Sequence, residues 1–196
     1  IDPVRFITNK SSGKMGYSIA EAARDRGARV TLISASNILS NPIGIQTKKA
    51  RTSSEMYELI SKEVTNMDVI IMAAAISDWT PKEYSETKYK KSDAETWSID
   101  LIKTIDIIAN ISNTNLIKVG FAAESNNVIK NSKTKLVSKS LDFIVANNIM
   151  ETDSGFEADT NKVSIIHTNG DIENIPTMSK YAIGNEILDR IVPLFN

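Results

Sequence analysis

A chain of 196 residues, 41% of them hydrophobic, is long enough to bury one substantial core and reads as a single domain over residues 1–196. Its 23 Lys and Arg nearly cancel its 24 Asp and Glu, so no global field draws it to nucleic acid or to an anionic membrane, and any bound anion must meet local charge. The absence of cysteine removes disulfides, thiolate metal sites and a covalent thioester intermediate, and a single histidine fits neither a His-based triad nor a zinc site.

The pattern NKSSGKMG, residues 9–16, opens an amphipathic helix with small residues and a lysine, where free backbone N–H groups gather and an anion can bind. Ser11, Gly13 and Gly16 stand at the G-x-G-x-x-G spacing, with serine in place of the first glycine. A Walker loop is rejected, because Thr8 stands where its first glycine belongs and Met15 where Ser or Thr should follow the lysine. Tyr17, Ile19, Ala20, Ala22 and Ala23 supply the apolar helix face, and Gly27 stops it. Residues 28–34, ARVTLIS, read as a buried strand, 35–44 as a loop, and 45–50 as a short strand. Thr52 and Glu55 have capping-box spacing ahead of a helix that ends near Asn66.

DVIIMAAA, residues 68–75, is apolar without alternation, as a central strand of a parallel sheet requires. A polar excursion follows over residues 77–101, closing on a strand-like WSIDLI, with a short helix expected near 106–111. LIKVGFAAE then reads as a strand, 126–140 as a helix, and LDFIVANN as another strand. Asn169-Gly170 between two β-prone runs signals a hairpin, after which Ser179 caps a last helix. His167 reads as a solvated strand-end residue. No apolar run reaches the length of a membrane span and no cleavable signal pattern opens the chain, so a reducing, cytoplasmic location is expected.

This alternation predicts an α/β fold: a Rossmann-like open, largely parallel sheet with helices on both faces, a C-terminal hairpin and the 77–101 excursion. Ligands of such sheets sit beyond the carboxyl ends of the strands, where NKSSGKMG, AAAISDW, GFAAE and VANN all fall. Ala73, Ala74 and Ala75 with Asp78 suit either close approach of a ligand or tight packing beside a solvated acid. KYKK places Lys88, Lys90 and Lys91 where ammonium groups could close over a polyphosphate, or simply be solvated. Lys135 and Lys139, four residues apart on a helix, could hold one anion together, and Phe121 could stack on a base or fill core. A nicotinamide cofactor loses support, because the second strand ends Ile33-Ser34-Ala35 without the acid that meets a ribose hydroxyl. The lysines suggest a triphosphate instead.

Taken as a set, DPVRFITNKSSGKMG, AAAISDW, KYKK, GFAAE and DFIVANN resemble the phosphopantothenate–cysteine ligase family over nearly the whole chain. The resemblance implies a ligase of coenzyme A biosynthesis that joins 4′-phosphopantothenate to L-cysteine. It implies the bacterial type, which spends CTP through an acyl-cytidylate and releases pyrophosphate and CMP. It further implies catalytic roles for Asn9 and Lys88, nucleotide contacts from Ser12, Gly13, Ala73, Ala74, Asp78, Phe121, Lys135 and Lys139, and substrate contacts from Asn9 and Ala75. Mg2+ would arrive on the triphosphate with no assigned protein ligand, and no flavin is expected. The family pattern implies a homodimer whose excursion helps form the partner's site, and a flavin-dependent decarboxylase as a separate or fused companion.

The chain departs from that pattern at TIDII, residues 104–108, where many bacterial relatives carry Asn-Pro-Asp, and at Ser77, which replaces a common alanine. A strand and glycine-rich turn that the family pattern places before residue 1 are not in the sequence, and neither is the flavin-dependent decarboxylase fused ahead of this activity in many bacteria, so a monofunctional ligase or an excised ligase half is expected. The competing readings are a Rossmann-like NAD(P)-dependent oxidoreductase and a non-catalytic nucleotide-binding regulator.

Overall fold

Gly13 leaves the N-terminal loop in the left-handed region, φ 76°, and helix α1 (Lys14–Asp25) begins on the next residue. Glycine adopts that conformation without the steric penalty of a Cβ. In this computed structural model, which describes residues 1–90, 95–112, 115–148 and 158–195, α1 buries Tyr17, Ile19, Ala20, Ala22 and Ala23, and Gly27 turns the chain out of the helix. Strands β1 (Thr31–Ser34) and β2 (Gln46–Lys49) follow and pair in parallel. Thr52 then caps α2 (Ser53–Glu63) as expected: its hydroxyl accepts from the Glu55 N–H at 3.1 Å, while the Glu55 carboxylate accepts from the Arg51 N–H at 2.6 Å.

The remaining elements are β3 (Val69–Met72), β4 (Trp79–Pro81), β5 (Leu101–Lys103), β6 (Ile117–Glu124), α3 (Val128–Ser138), β7 (Phe143–Asn148), β8 (Thr160–His167), β9 (Ile172–Ser179) and α4 (Lys180–Ile191). The main sheet runs β3-β6-β7-β8-β9, parallel from β3 to β7 and antiparallel through the β8–β9 hairpin. Its turn is the expected one, with Gly170 at φ 95° and the Gly170 N–H donating to the His167 carbonyl at 3.0 Å.

Both faces of this sheet are covered. Phe143 and Val145 of β7 point to one face and pack with Ile19 of α1 and Ile183, Ile187 and Ile191 of α4. Ile144 and Ala146 point to the other and pack with Leu136 of α3. That double burial is why the strands read as unbroken apolar runs. Each fully buried Ile of α4 contributes about 1.5–3 kcal/mol. Gly184 lets the two helices of the first face touch, since a Cβ there would stand 3.2 Å from the Ile19 Cα and 3.3 Å from the Ala22 Cβ.

Several expectations need correction. β3 is an edge strand of the hydrogen-bonded sheet, not a central one, and its apolar faces are explained by packing against helices on both sides. The β1–β2 pair forms its own ladder, joined to β3 through side chains: Ile33 and Ile70 pack together with Met56 and Ile60 of α2. Residues 106–111 make a hydrogen-bonded turn rather than a helix, with the Asn110 N–H on the Asp106 carbonyl at 3.1 Å. The excursion contains a strand, β4, that its polar composition hid, paired antiparallel with β5. His167 ends β8 as expected but is only partly exposed: its Nε2 lies 2.6 Å from Glu173 Oε1, and Arg190 Nη2 holds the other oxygen of Glu173 at 2.7 Å.

Candidate functional site

Three loops meet at the start of α1, beyond the carboxyl end of β3. Asn9 reaches from the first loop to the second, its Nδ2 donating to the Ile76 carbonyl at 3.0 Å. A Cβ on Gly16 would stand 3.9 Å from the Ala73 Cβ, so the helix start and the alanine run lie against each other. The bare face of Gly13 turns toward Ser36 and Leu39 of the loop after β1, 3.5 and 3.6 Å from where its Cβ would be. Small residues at 13, 16 and 73 therefore let three backbones converge.

The anion-binding potential of the helix start is held in reserve by serines. The Gly13 N–H donates to Ser11 Oγ at 3.3 Å and the Lys14 N–H to Ser12 Oγ at 3.4 Å. Both contacts are long, and both involve donors that a helix cannot satisfy from within. A phosphate oxygen would offer a stronger, charge-assisted acceptor. Lys14 itself leans away, pairing with Asp159 at 2.6 Å beside a cleft of about 390 Å³ that Lys180 also lines. Burial pushes the Lys180 ammonium down from its ordinary value, helped by the charge of Lys14 and opposed by Asp159.

Phe121, on β6, packs half-buried on the same face as Ala73 and Met15, so its ring fills core next to the helix start. Ala73 and Ala75 are half-buried, while Ala74 and Asp78 are exposed. The Asp78 carbonyl accepts from the Thr104 N–H at 2.9 Å, which pins the loop to the end of β5. Ser77 steadies the same loop, its hydroxyl 2.8 Å from the Trp79 carbonyl.

Lys135 and Lys139 face different carboxylates. Lys135 pairs with Glu124, the last residue of GFAAE, at 2.7 Å, and Lys139 pairs with Asp106 at 2.9 Å. Burial alone would raise the Glu124 carboxyl, but the hydrogen bonds from Lys135 and from Asn131, at 3.0 Å, hold it below the usual range. The two carboxylates keep both ammonium groups directed at the carboxyl end of β6 and at the 106–111 turn. That turn is anchored from inside by Lys118, a buried residue of β6 whose ammonium donates to the Ile111 carbonyl.

Lys88 is exposed, and the chain beside it is gripped from the N-terminal segment. The Tyr89 N–H donates to Asp2 Oδ2 at 3.2 Å and the Tyr89 carbonyl accepts from Arg5 Nη2 at 2.8 Å. Since the residues from Arg5 to Asn9 span at most about 14 Å, this grip ties the Lys88 loop to the Asn9 loop. Lys91 of KYKK lies outside the described residues. Asp2, Arg5 and Glu124 lie within motifs quoted from the sequence without a role assigned to them, and Asp106 and Lys118 were not singled out. Only Asp2-Pro3 carried a local signal, as a dipeptide that starts turns.

Comparison with known proteins identifies the family of the chain. Residues 1–194 match the family model described as DNA/pantothenate metabolism flavoprotein C-terminal domain. The coenzyme A biosynthesis bifunctional protein CoaBC of Bacillus subtilis is 41% identical over 197 residues, covering 99% of this chain and 48% of that protein. The protein of the same name from Escherichia coli K12 is 35% identical over 201 residues, covering 100% of this chain and 49% of that protein. The chain thus spans about half the length of the curated relatives it matches. A crystal structure of the C-terminal domain of CoaBC superposes with a TM-score of 0.82 at 34% identity, covering 97% of this chain and 87% of that one. The chain belongs to the family of DNA/pantothenate metabolism flavoprotein C-terminal domains.

Proposed function

We propose that this domain is a phosphopantothenate–cysteine ligase of coenzyme A biosynthesis, joining 4′-phosphopantothenate to L-cysteine with CTP. The observation that carries the reading is the Asn9–Ile76 contact at 3.0 Å, which brings the NKSSGKMG and AAAISDW loops together at a helix start suited to phosphate. Membership of the family and the likeness to CoaBC support it. In the first step the carboxylate of 4′-phosphopantothenate attacks the α-phosphorus of CTP, pyrophosphate leaves, and an acyl-cytidylate forms. In the second the cysteine amine attacks the acyl carbon and CMP leaves, taking the bonding pair.

The residues divide the work by their chemistry. Lys88 neutralises charge on the phosphates as pyrophosphate departs. Ser12, Gly13 and the first turn of α1 bind phosphate, while Ala73, Ala74 and Asp78 receive the nucleotide beside Phe121. Lys135 and Lys139 meet the nucleotide by exchanging carboxylate partners; the Lys139–Asp106 pair is exposed enough to exchange at small cost. Asn9, with Ala75, orients the acyl group for the second step. Magnesium would be held mainly by phosphate oxygens, with Asp78 the exposed carboxylate nearest in sequence to the alanine run.

The assembly we propose is a homodimer in the cytoplasm. Trp79, Tyr84 and Trp97 are exposed on the excursion, Leu101 and Ile102 on the β5 strand that closes it, and Val4 and Phe6 on the segment clamped to it, apolar side chains that a second copy would cover. No helix among the described residues is long and apolar enough to cross a membrane. The test of function is a pyrophosphate-release assay with CTP or ATP, with and without 4′-phosphopantothenate and cysteine. Release that needs CTP and 4′-phosphopantothenate supports the reading. Release independent of 4′-phosphopantothenate, or none, overturns it.

A further inference from the structure

We propose that Asp2 is a positioning residue of this site, whose buried carboxylate, acting with Arg5, holds the backbone of Tyr89 and so sets where Lys88 stands. The inference rests on the role given to Lys88 above. The Asp2 side chain is wholly screened from solvent, although Val4 and Phe6 beside it are exposed. A carboxylate in that position is costly unless donors surround it. Oδ1 accepts from the Val4 and Arg5 N–H groups at 2.9 Å each, and Oδ2 from Arg5 Nε at 2.9 Å, Arg5 Nη2 at 2.6 Å and the Tyr89 N–H at 3.2 Å. Burial alone would raise its pKa, but these donors outweigh it and hold the carboxyl well below the usual range.

The contacts with Val4 and Arg5 build a local turn that begins at Asp2-Pro3. The Tyr89 contact does something else: it reaches 87 residues along the chain. With Arg5 Nη2 on the Tyr89 carbonyl at 2.8 Å, both backbone polar groups of Tyr89 are taken, so the peptide plane next to Lys88 cannot rotate freely. Arg5 is itself held, its guanidinium 4.7 Å from the Trp97 ring centre, and the Trp97 ring packs at 5.1 Å from that of Tyr89 with the planes tilted by 53°. One carboxylate thereby joins the segment leading to Asn9 with the segment carrying Lys88.

The experiment is Asp2→Asn in the full-length protein, alone and combined with Lys88→Ala. It is read by CTP-dependent pyrophosphate release and by amide hydrogen exchange at residues 88–90 without substrate. Asp2→Asn keeps the shape but points N–H donors at donors. A displacement of about 1 Å at a reacting group costs on the order of 100-fold, so kcat falls about 10- to 100-fold while KM for 4′-phosphopantothenate stays near wild type. Exchange at Tyr89 accelerates, and in the Lys88→Ala background Asp2→Asn causes no further loss. Unchanged kcat, unchanged exchange, or losses that multiply in the double variant would each overturn the proposal. If Asp2→Asn does not fold, Arg5→Lys, which keeps the charge but loses the fork and the stack on Trp97, must produce a smaller loss of the same kind. Wild-type protein without any CTP turnover would instead sink the functional reading, and the exchange result alone would then decide whether Asp2 holds residues 88–90.

Discussion

The five-stranded sheet and the excursion at residues 77–101 are held by opposite means. Phe143, Val145 and Ile165 of the sheet and Ile183 and Ile187 of the α4 helix packed on it are each at most 1% exposed, and the helices are positioned by the area they bury. In the excursion, Trp79 and Trp97 are about half exposed, and position depends on a few polar contacts: the Lys82 N–H on the Asp100 carbonyl, the Thr104 N–H on the Asp78 carbonyl, and Asp2 with Arg5 on Tyr89. Burial is spread over many atoms, so the sheet resists any one perturbation by degrees. A polar clamp is concentrated, so the excursion is placed accurately by little chain and misplaced by one substitution. The first arrangement suits a scaffold and the second a loop that must meet a substrate.

Substitutions on either side of this division should act on different quantities. Lys88→Ala, on the exposed excursion, is expected to slow CTP-dependent pyrophosphate release by about 1,000-fold, the scale for losing a charge-stabilising group, with the thermal midpoint unchanged. A matching fall in thermal midpoint would erase the distinction. Ile183→Ala, on α4 against the covered sheet, should lower the unfolding free energy by about 2–5 kcal/mol in urea titration, while the folded fraction keeps its KM for CTP. Asn9→Asp puts a carboxylate oxygen against the Ile76 carbonyl, so release of CMP should slow about 100-fold with acyl-cytidylate accumulating, detectable by mass spectrometry of quenched reactions. Equal weakening of substrate binding by Lys88→Ala and Asn9→Asp, with no trapped intermediate, would contradict the separate roles.

The smallest effect is a polar contact within the covered sheet, where the end of β6 meets α3. The folded-state pKa of Glu124 is depressed, so the stability it contributes is present above the ordinary glutamate range and is lost as pH falls through the folded value. Lys135 is well exposed, so the contribution is below about 1 kcal/mol. Glu124→Gln should remove that part of the acid limb, seen as a flatter stability curve below about pH 4.3. An unaltered curve would show that the pair adds nothing to the fold.

Much of the main sheet was legible because its signals are local or periodic. Thr52 with Glu55, Ser179, Gly13, Gly27 and Asn169-Gly170 each impose a backbone conformation on their own neighbours, and the runs at β6 and β7 announce burial on two faces. The edge position of β3 was not legible, since a strand packed between helices is apolar whether or not it has two hydrogen-bonded neighbours. β4 was hidden for the converse reason: an exposed strand paired with only one other has no need of an apolar pattern. The candidate loops could be picked out as small and polar segments following strands, but not how they join.

The sequence by itself determined the strands and helices of the main sheet in their order, the covered faces and the composition of each loop, because propensity, capping and periodicity act within a few residues. Only the tertiary structure decided which groups meet. Asn9 with Ile76, Asp2 with Tyr89, Lys135 with Glu124 and Lys139 with Asp106 are pairings of charge and hydrogen-bonding capacity across distant parts of the chain. A donor carries no record of its acceptor, so those partnerships exist only once the sheet and its helices have set the distances.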